Sequence, residues 1–138
     1  MNELNLYKTE ITAEDGISIR FVYDQEADIL DIFFGDNEPA TGVELTDQIL
    51  LRLNQKTKRA VSLMILDFSI LTERTEYGPR SCPLDKLAEL PEAMREVVLQ
   101  LVTTPPVNRF LKMSHFQASS TEHVPLTYVE AQPIMTVA

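Results

Sequence analysis

Ile17–Phe34 reads ISIRFVYDQEADILDIFF, and its periodicity decides the fold class. Ile17, Ile19, Phe21 and Tyr23 alternate with Ser18, Arg20 and Val22. A period of two sets one face of a strand against a core and the other toward water. Asp24–Asp28 (DQEAD) has no β-branched residue and is rich in turn formers, so it predicts a hairpin loop. Ile29–Phe34 (ILDIFF) returns as a strand that is apolar on both faces except at Asp31. Gly35–Ala40 (GDNEPA) is a turn, because Gly, Asn and Pro supply special backbone angles.

Outward from this hairpin the same alphabet repeats. Gly42–Leu45 predicts a short strand with Val43 and Leu45 on one side. Thr46-Asp47-Gln48 turns the chain. Ile49, Leu51 and Leu53 then form one strand face, and Leu50 and Arg52 the other. Asn54–Arg59 (NQKTKR) suits a hairpin tip. Ala60–Phe68 (AVSLMILDF) is apolar on both sides, as a central strand covered on both faces would be. Residues 1–15 read as a polar lead-in. The fold class predicted is α+β, an antiparallel β-meander of about five strands.

The second half changes character. Gly78, Pro79 and Pro83 interrupt residues 71–90, with one helical turn predicted near Leu84–Glu89. Pro91–Val102 is the main α-helix. Pro91 fits a first helical position and Glu92 the positive helix start. Met94, Val97, Val98 and Leu101 make its apolar stripe, and Glu92, Arg95, Glu96 and Gln100 its wet face. Pro105 and Pro106 end it. Val107–Met113 and Val124–Val129 predict up to two C-terminal strands. The whole chain, 1–138, is expected to be one domain, with a 17–70 β-core and a helix-containing extension over 71–138.

At 138 residues and 44% hydrophobic content, the chain can bury a core. No stretch approaches the ~20 apolar residues of a membrane-spanning helix. The opening MNELNLYKTEITAEDG lacks the basic start and apolar run of a secretory signal. Cys82 is the one cysteine, so no intrachain disulfide can form. A cytoplasmic protein is expected.

The formal net charge of −9 disfavours direct binding to phosphate backbones. Residues 1–70 hold 13 acids against 6 bases, so the imbalance lies mainly in the β-core. Between Arg20 and Arg52 there are eight acids and no base. Seven of these, Asp24, Glu26, Asp28, Asp36, Glu38, Glu44 and Asp47, are the candidate docking surface for a basic protein partner. The competing explanation is a solvated face that discourages edge pairing.

No pattern for catalysis or metal binding holds up. Asp24, Glu26 and Asp28 imitate the start of a calcium loop, but the positions that need Gly and Glu hold Ile29 and Gly35. His115 and His123, the only histidines, lack the further ligands of a zinc site and are expected in loops. Cys82, also expected in a loop, has no histidine near it in sequence. The four glycines are too scattered for a phosphate loop. No enzyme activity, metal or cofactor is expected. The alternative is a small-ligand or enzymatic domain with a pocket between sheet and helix, where Tyr23, Asp31, Arg52 and His115 would have to converge.

FVYDQEADILDIFF, a short VEL strand and QILLRLNQKTKRAVSLMILDFS together resemble the bacterial domain-of-unknown-function family number 2283. The pieces that carry the likeness are Tyr23-Asp24, Glu26-Ala27-Asp28, Glu44 and Leu66-Asp67-Phe68-Ser69, over about residues 17–70. Residues 71–138 resemble the extension of longer, cyanobacterial-type members. The resemblance implies a small β-sheet protein with no catalytic residues to carry over. It also implies an antitoxin-like role for those members encoded beside small ribonuclease-like toxins.

The expected function is therefore non-enzymatic protein interaction. A homodimer is expected as well. One helix stripe covers one sheet face, and Ile29, Phe33 and Leu50 point to the other.

Overall fold

The computed structural model describes residues 6–13, 15–72, 74–75, 78–79, 82–117 and 123–129. Six antiparallel strands form the main sheet: β1 (Leu6–Thr12), β2 (Ser18–Asp24), β3 (Ile29–Phe34), β4 (Thr41–Glu44), β5 (Ile49–Asn54) and β6 (Arg59–Leu66). Their lateral order is β1-β2-β3-β6-β5-β4. The chain thus lays down two three-stranded meanders, which join where β3 pairs with β6.

The antiparallel α+β reading holds, with six strands where about five were predicted. The additional strand is β1, in the stretch predicted to be a polar lead-in. Tyr7, Thr9 and Ile11 pair with Tyr23, Phe21 and Ile19, so the burial that makes β1 a strand comes from its neighbour. The apolar Ala60–Phe68 run becomes β6, central between β3 and β5. It stops at Leu66, because Asp67 turns into the left-handed region (φ 54°) and leads into α1 (Phe68–Leu71). In the β5–β6 ladder Arg52 faces Ser62 and Leu53 faces Ala60. Val61 is therefore the extra residue of a β-bulge, which bends the central strand.

Strand alternation sorts the two faces. Ile19, Phe21, Leu30, Ile32, Phe34, Ile49, Leu51, Leu53, Leu63 and Ile65 are buried on one of them. Over this face lies α2 (Glu92–Val102), with Pro91 as its cap residue. Val98 and Val102 are its buried positions, and Met94, Val97 and Leu101 flank the core. Arg95, predicted on the wet face, is half-buried, and its Nη2 donates to the Leu90 carbonyl at 3.1 Å.

After the helix the chain makes a tight turn at Val107–Arg109 instead of starting a strand at Val107. This turn inserts Val107 and Phe110 into the core. The Phe110 ring meets Phe21 edge-on at 5.6 Å and stacks on Phe34 at 6.2 Å. Short strands β7 (Arg74–Thr75) and β8 (Gly78–Pro79) pair with each other. β9 (Cys82–Pro83), β10 (Leu111–Gln117) and β11 (His123–Val129) form a second sheet in the order β10-β11-β9. Cys82, expected in a loop, pairs with Thr127. His115 and His123, also expected in loops, lie in β10 and β11. β11 matches the strand predicted at Val124–Val129, β10 begins four residues later than the predicted Val107, and Leu111 and Val129 pack into the shared core.

One hydrophobic cluster runs from Ile19 to Val129. The extension and α2 share one face of the main sheet. On the opposite face Val22, Ile29, Phe33, Leu50, Met64 and Leu66 are only half-buried. No helix among the described residues is long and apolar enough to cross a membrane.

Candidate functional site

The turn between β2 and β3, the turn between β4 and β5, and the exit of β6 all lie at the same end of the main sheet. Backbone bonds hold them together. The Leu66 amide donates to the Gln48 carbonyl at 2.7 Å, and the Phe68 amide donates to the Asp28 carbonyl at 3.1 Å. This end gathers Asp24, Glu26, Asp28, Glu44, Asp47 and Asp67. Among the described side chains the cation placed against them is Lys86, 3.2 Å from Asp47 and 3.5 Å from Glu44. Asp47, and then Glu44, raise the Lys86 ammonium above its ordinary value.

These carboxylates do different work. Asp28 faces inward. Its Oδ1 accepts from the Tyr23 hydroxyl at 2.6 Å and the Ser69 amide at 3.0 Å, and its Oδ2 accepts from the Ser69 hydroxyl at 2.7 Å. Burial alone would raise its carboxyl, but the bonds from Tyr23 and Ser69 prevail and hold it below the ordinary value. The same bond to Asp28, helped by burial, pushes the Tyr23 phenol up to about 12. Asp24 accepts the Ala27 amide at 3.1 Å and closes the hairpin turn. Glu26, Glu44, Asp47 and Asp67 are exposed.

Asp36 and Glu38 lie at the other end of the sheet, because β3 carries the chain its full six-residue length away, about 20 Å. There Arg59 braces the Gly35–Ala40 loop. Its Nη1 donates to the Phe34 carbonyl at 2.6 Å, and its Nη2 donates to the Asp36 carbonyl at 2.7 Å and to Glu38 at 2.8 Å. Asn54 adds a bond to Glu38 at 2.7 Å. Arg59 first, then Asn54, hold the Glu38 carboxyl below its ordinary value. Gly35 sits at φ +70°, where a Cβ would meet the Arg59 guanidinium at 3.3 Å. The seven candidate acids therefore divide. Asp24, Glu26, Asp28, Glu44 and Asp47 come together, and Asp36 and Glu38 do not join them.

Tyr23, Asp31, Arg52 and His115 do not converge. Tyr23 flanks the buried core and packs against Phe68, whereas Asp31 and Arg52 stand on the opposite, open face. His115 belongs to the second sheet. On the open face the Arg52 Nη1 donates to the Ser62 hydroxyl at 3.3 Å. Burial raises the Asp31 carboxyl, and the Arg52 charge offsets part of that rise. A depression of about 490 Å³ does lie between the β5–β6 hairpin and α2, lined by Leu53, Gln55, Lys58, Met94 and Val97 among others. Another of about 720 Å³ lies beside Arg20, Asp36 and Arg59. Both are open to solvent. Among the described residues no three His, Cys, Asp or Glu side chains are placed to share a metal ion.

Sequence reasoning missed Asp67 and Lys86 as members of the acidic end. Asp67 follows the apolar β6 run, and Lys86 arrives from the extension, so neither falls within the acid-rich stretch.

No curated protein and no solved structure matches the chain. Residues 20–69 match the family described as "Protein of unknown function (DUF2283)". The match begins inside β2 and ends in α1, covering the hairpin, the acidic end and the seam between the two meanders. The matched residues build five of the six strands of the main sheet, so the likeness to the DUF2283 family is carried by the β-core.

Proposed function

We propose that the chain is a non-enzymatic, cytoplasmic protein-interaction domain that docks a basic partner protein on its acidic end. The observation that carries this reading is the gathering of six carboxylates by three bonded turns, against one described cation, Lys86. Clustered charge on a rigid frame raises the encounter rate with a cationic surface and selects against anionic ones. Asp28 and Asp24 hold the frame, while Glu26, Glu44, Asp47 and Asp67 present the charge. The sharper form of the reading is antitoxin-like: the acidic end covers the nucleic-acid surface of a small basic ribonuclease. The same field repels nucleic acid itself.

The test uses extract of the source cell and two baits, the native chain and Glu26→Lys/Asp47→Lys/Asp67→Lys. The expected result is a basic protein retained by the native chain and lost from the variant. Its association rate should fall steeply with added salt, while dissociation changes little. The antitoxin-like form further requires that the retained protein degrade RNA and that the native chain stop it. Equal retention by both baits would overturn the assignment of the acidic end.

A further inference from the structure

We propose that the open face of the main sheet is the contact surface of a two-fold homodimer, in which Arg52 of each chain pairs with Asp31 of the other. This goes beyond the acidic-end reading and does not depend on it.

The argument rests on strand register. Side chains on the open face fall into rows across the sheet. Glu10, Arg20, Phe33, Ser62, Arg52 and Gly42 share one row, and Lys8, Val22, Asp31, Met64, Leu50 and Glu44 share the next. On β2, β3, β6, β5 and β4 the cations, Arg20 and Arg52, lie in the first row and the anions, Asp31 and Glu44, in the second; on the edge strand β1 the signs are reversed, with Glu10 in the first row and Lys8 in the second. The lateral order places β3 and β5 on either side of β6, and β2 and β4 beyond them.

A two-fold axis running along β6 lays β6 on its copy. It also sets β3 over the second chain's β5, and β2 over the second chain's β4. Each arginine then faces the strand that carries an acid, one row away. That step is about 7 Å along a strand, with stacked sheets about 10 Å apart, within reach of a long guanidinium stem. Arg52 meets Asp31 twice across the two-fold, while Arg20 keeps Glu10 of its own chain opposite it and Glu44 keeps Lys86. An axis across the strands would instead lay β3 on β3 and bring the two Asp31 carboxylates toward each other. The charges therefore select one arrangement of two identical faces.

The rest of the face fits this use. Val22, Phe33, Leu50 and Met64 surround the charged positions and are half-buried within one chain, so a second copy would complete their burial. Arg20 already lies over the Phe33 ring at 4.9 Å, which flattens it against the sheet. The five overlapping strands at ~4.8 Å spacing and six residues at ~3.3 Å give a contact of roughly 500 Å², with β1 overhanging. That is below the ~800 Å² per partner of a standard stable interface, so a dissociation constant in the micromolar range or weaker is expected.

Sedimentation equilibrium of the full chain should show a dimer at micromolar concentration. Asp31→Arg alone and Arg52→Asp alone should each weaken self-association at least tenfold, with circular dichroism reporting folded chains. Mixing the two variants should restore a dimer, because the two reversed charges then face each other across the interface while the remaining pair is native. Within each chain the substituted face keeps its like charges, so recovery on mixing isolates contact between chains. A native chain that stays monomeric, or a mixture that fails to associate although both variants are folded, would overturn the proposal. Met64→Arg supplies a second check, since it should also yield a folded monomer; a Met64→Arg dimer as strong as the native one counts against this face.

Discussion

Asp28 shows how one residue can look like a binding group and serve as a structural one. In sequence it is one acid of DQEAD, yet its carboxylate ties the β2–β3 hairpin to the exit of β6 through Tyr23 and Ser69. Hydrogen bonds to a charged group contribute about 1.5–3 kcal/mol. Asp28→Ala should therefore cost about 2 kcal/mol or more in urea unfolding. Asp28→Asn, which tolerates the positive φ of 58° at this site, should cost less. The sign of the pH dependence follows from the lowered carboxyl. Its stabilisation is fully present above the ordinary carboxylate value and is lost as pH falls through the folded-state value. The native urea midpoint should decline below about pH 4, and Asp28→Asn should flatten that decline. Asp31 has the opposite sign. Its carboxyl is raised by burial, so its charged form is a liability in the isolated chain, and stability falls as pH rises through the raised value. Asp31→Asn should leave the single chain at least as stable as native by thermal melting, while weakening self-association.

At the scale of elements, the helix and the turn after it close the core from one side. Phe110 is fully buried between Phe21 and Phe34. Phe110→Ala should cost about 3–5 kcal/mol by chemical denaturation, a large part of a typical domain's stability. Leu99, on the same extension but exposed, should tolerate Ala within about 0.5 kcal/mol. The elements that can be read from sequence are those whose pattern is complete within one segment. β2 and β5 show the alternation themselves, β3 and β6 a continuous apolar run, and α2 carries its own stripe. β1 is hidden because Lys8 and Glu10 make its open side read as solvent, while its buried side depends on β2. β11 is legible, predicted at Val124–Val129 and found at His123–Val129, whereas β10 starts at Leu111 rather than Val107 because the turn at Val107–Arg109 comes first. The acidic stretch is visible as a composition, but its division is not. Five acids fall at one end and two at the other because β3 crosses the sheet between Asp28 and Asp36.

At the scale of the whole molecule, charge is organised along the strands rather than spread evenly. The acidic end carries Glu26, Glu44, Asp47 and Asp67, while the opposite end mixes Asp36 and Glu38 with Lys56, Lys58 and Arg59. Glu26→Lys should leave stability within about 0.5 kcal/mol of native by thermal melting, because Glu26 is exposed. The order β1-β2-β3-β6-β5-β4 also governs how the chain reaches this state. Each meander can zip up from its own hairpins, because those contacts are close in sequence. The β3–β6 seam joins residues far apart, so the entropy of closing that loop falls on a single event. Folding should therefore be limited by docking of the two halves. Leu63→Ala, on the seam opposite Ile32, should slow refolding in stopped-flow measurements. Val43→Ala, on the outer strand β4, should chiefly speed unfolding. The substitution of greatest kinetic weight is thus expected in the middle of the sheet, where two locally formed units first recognise each other.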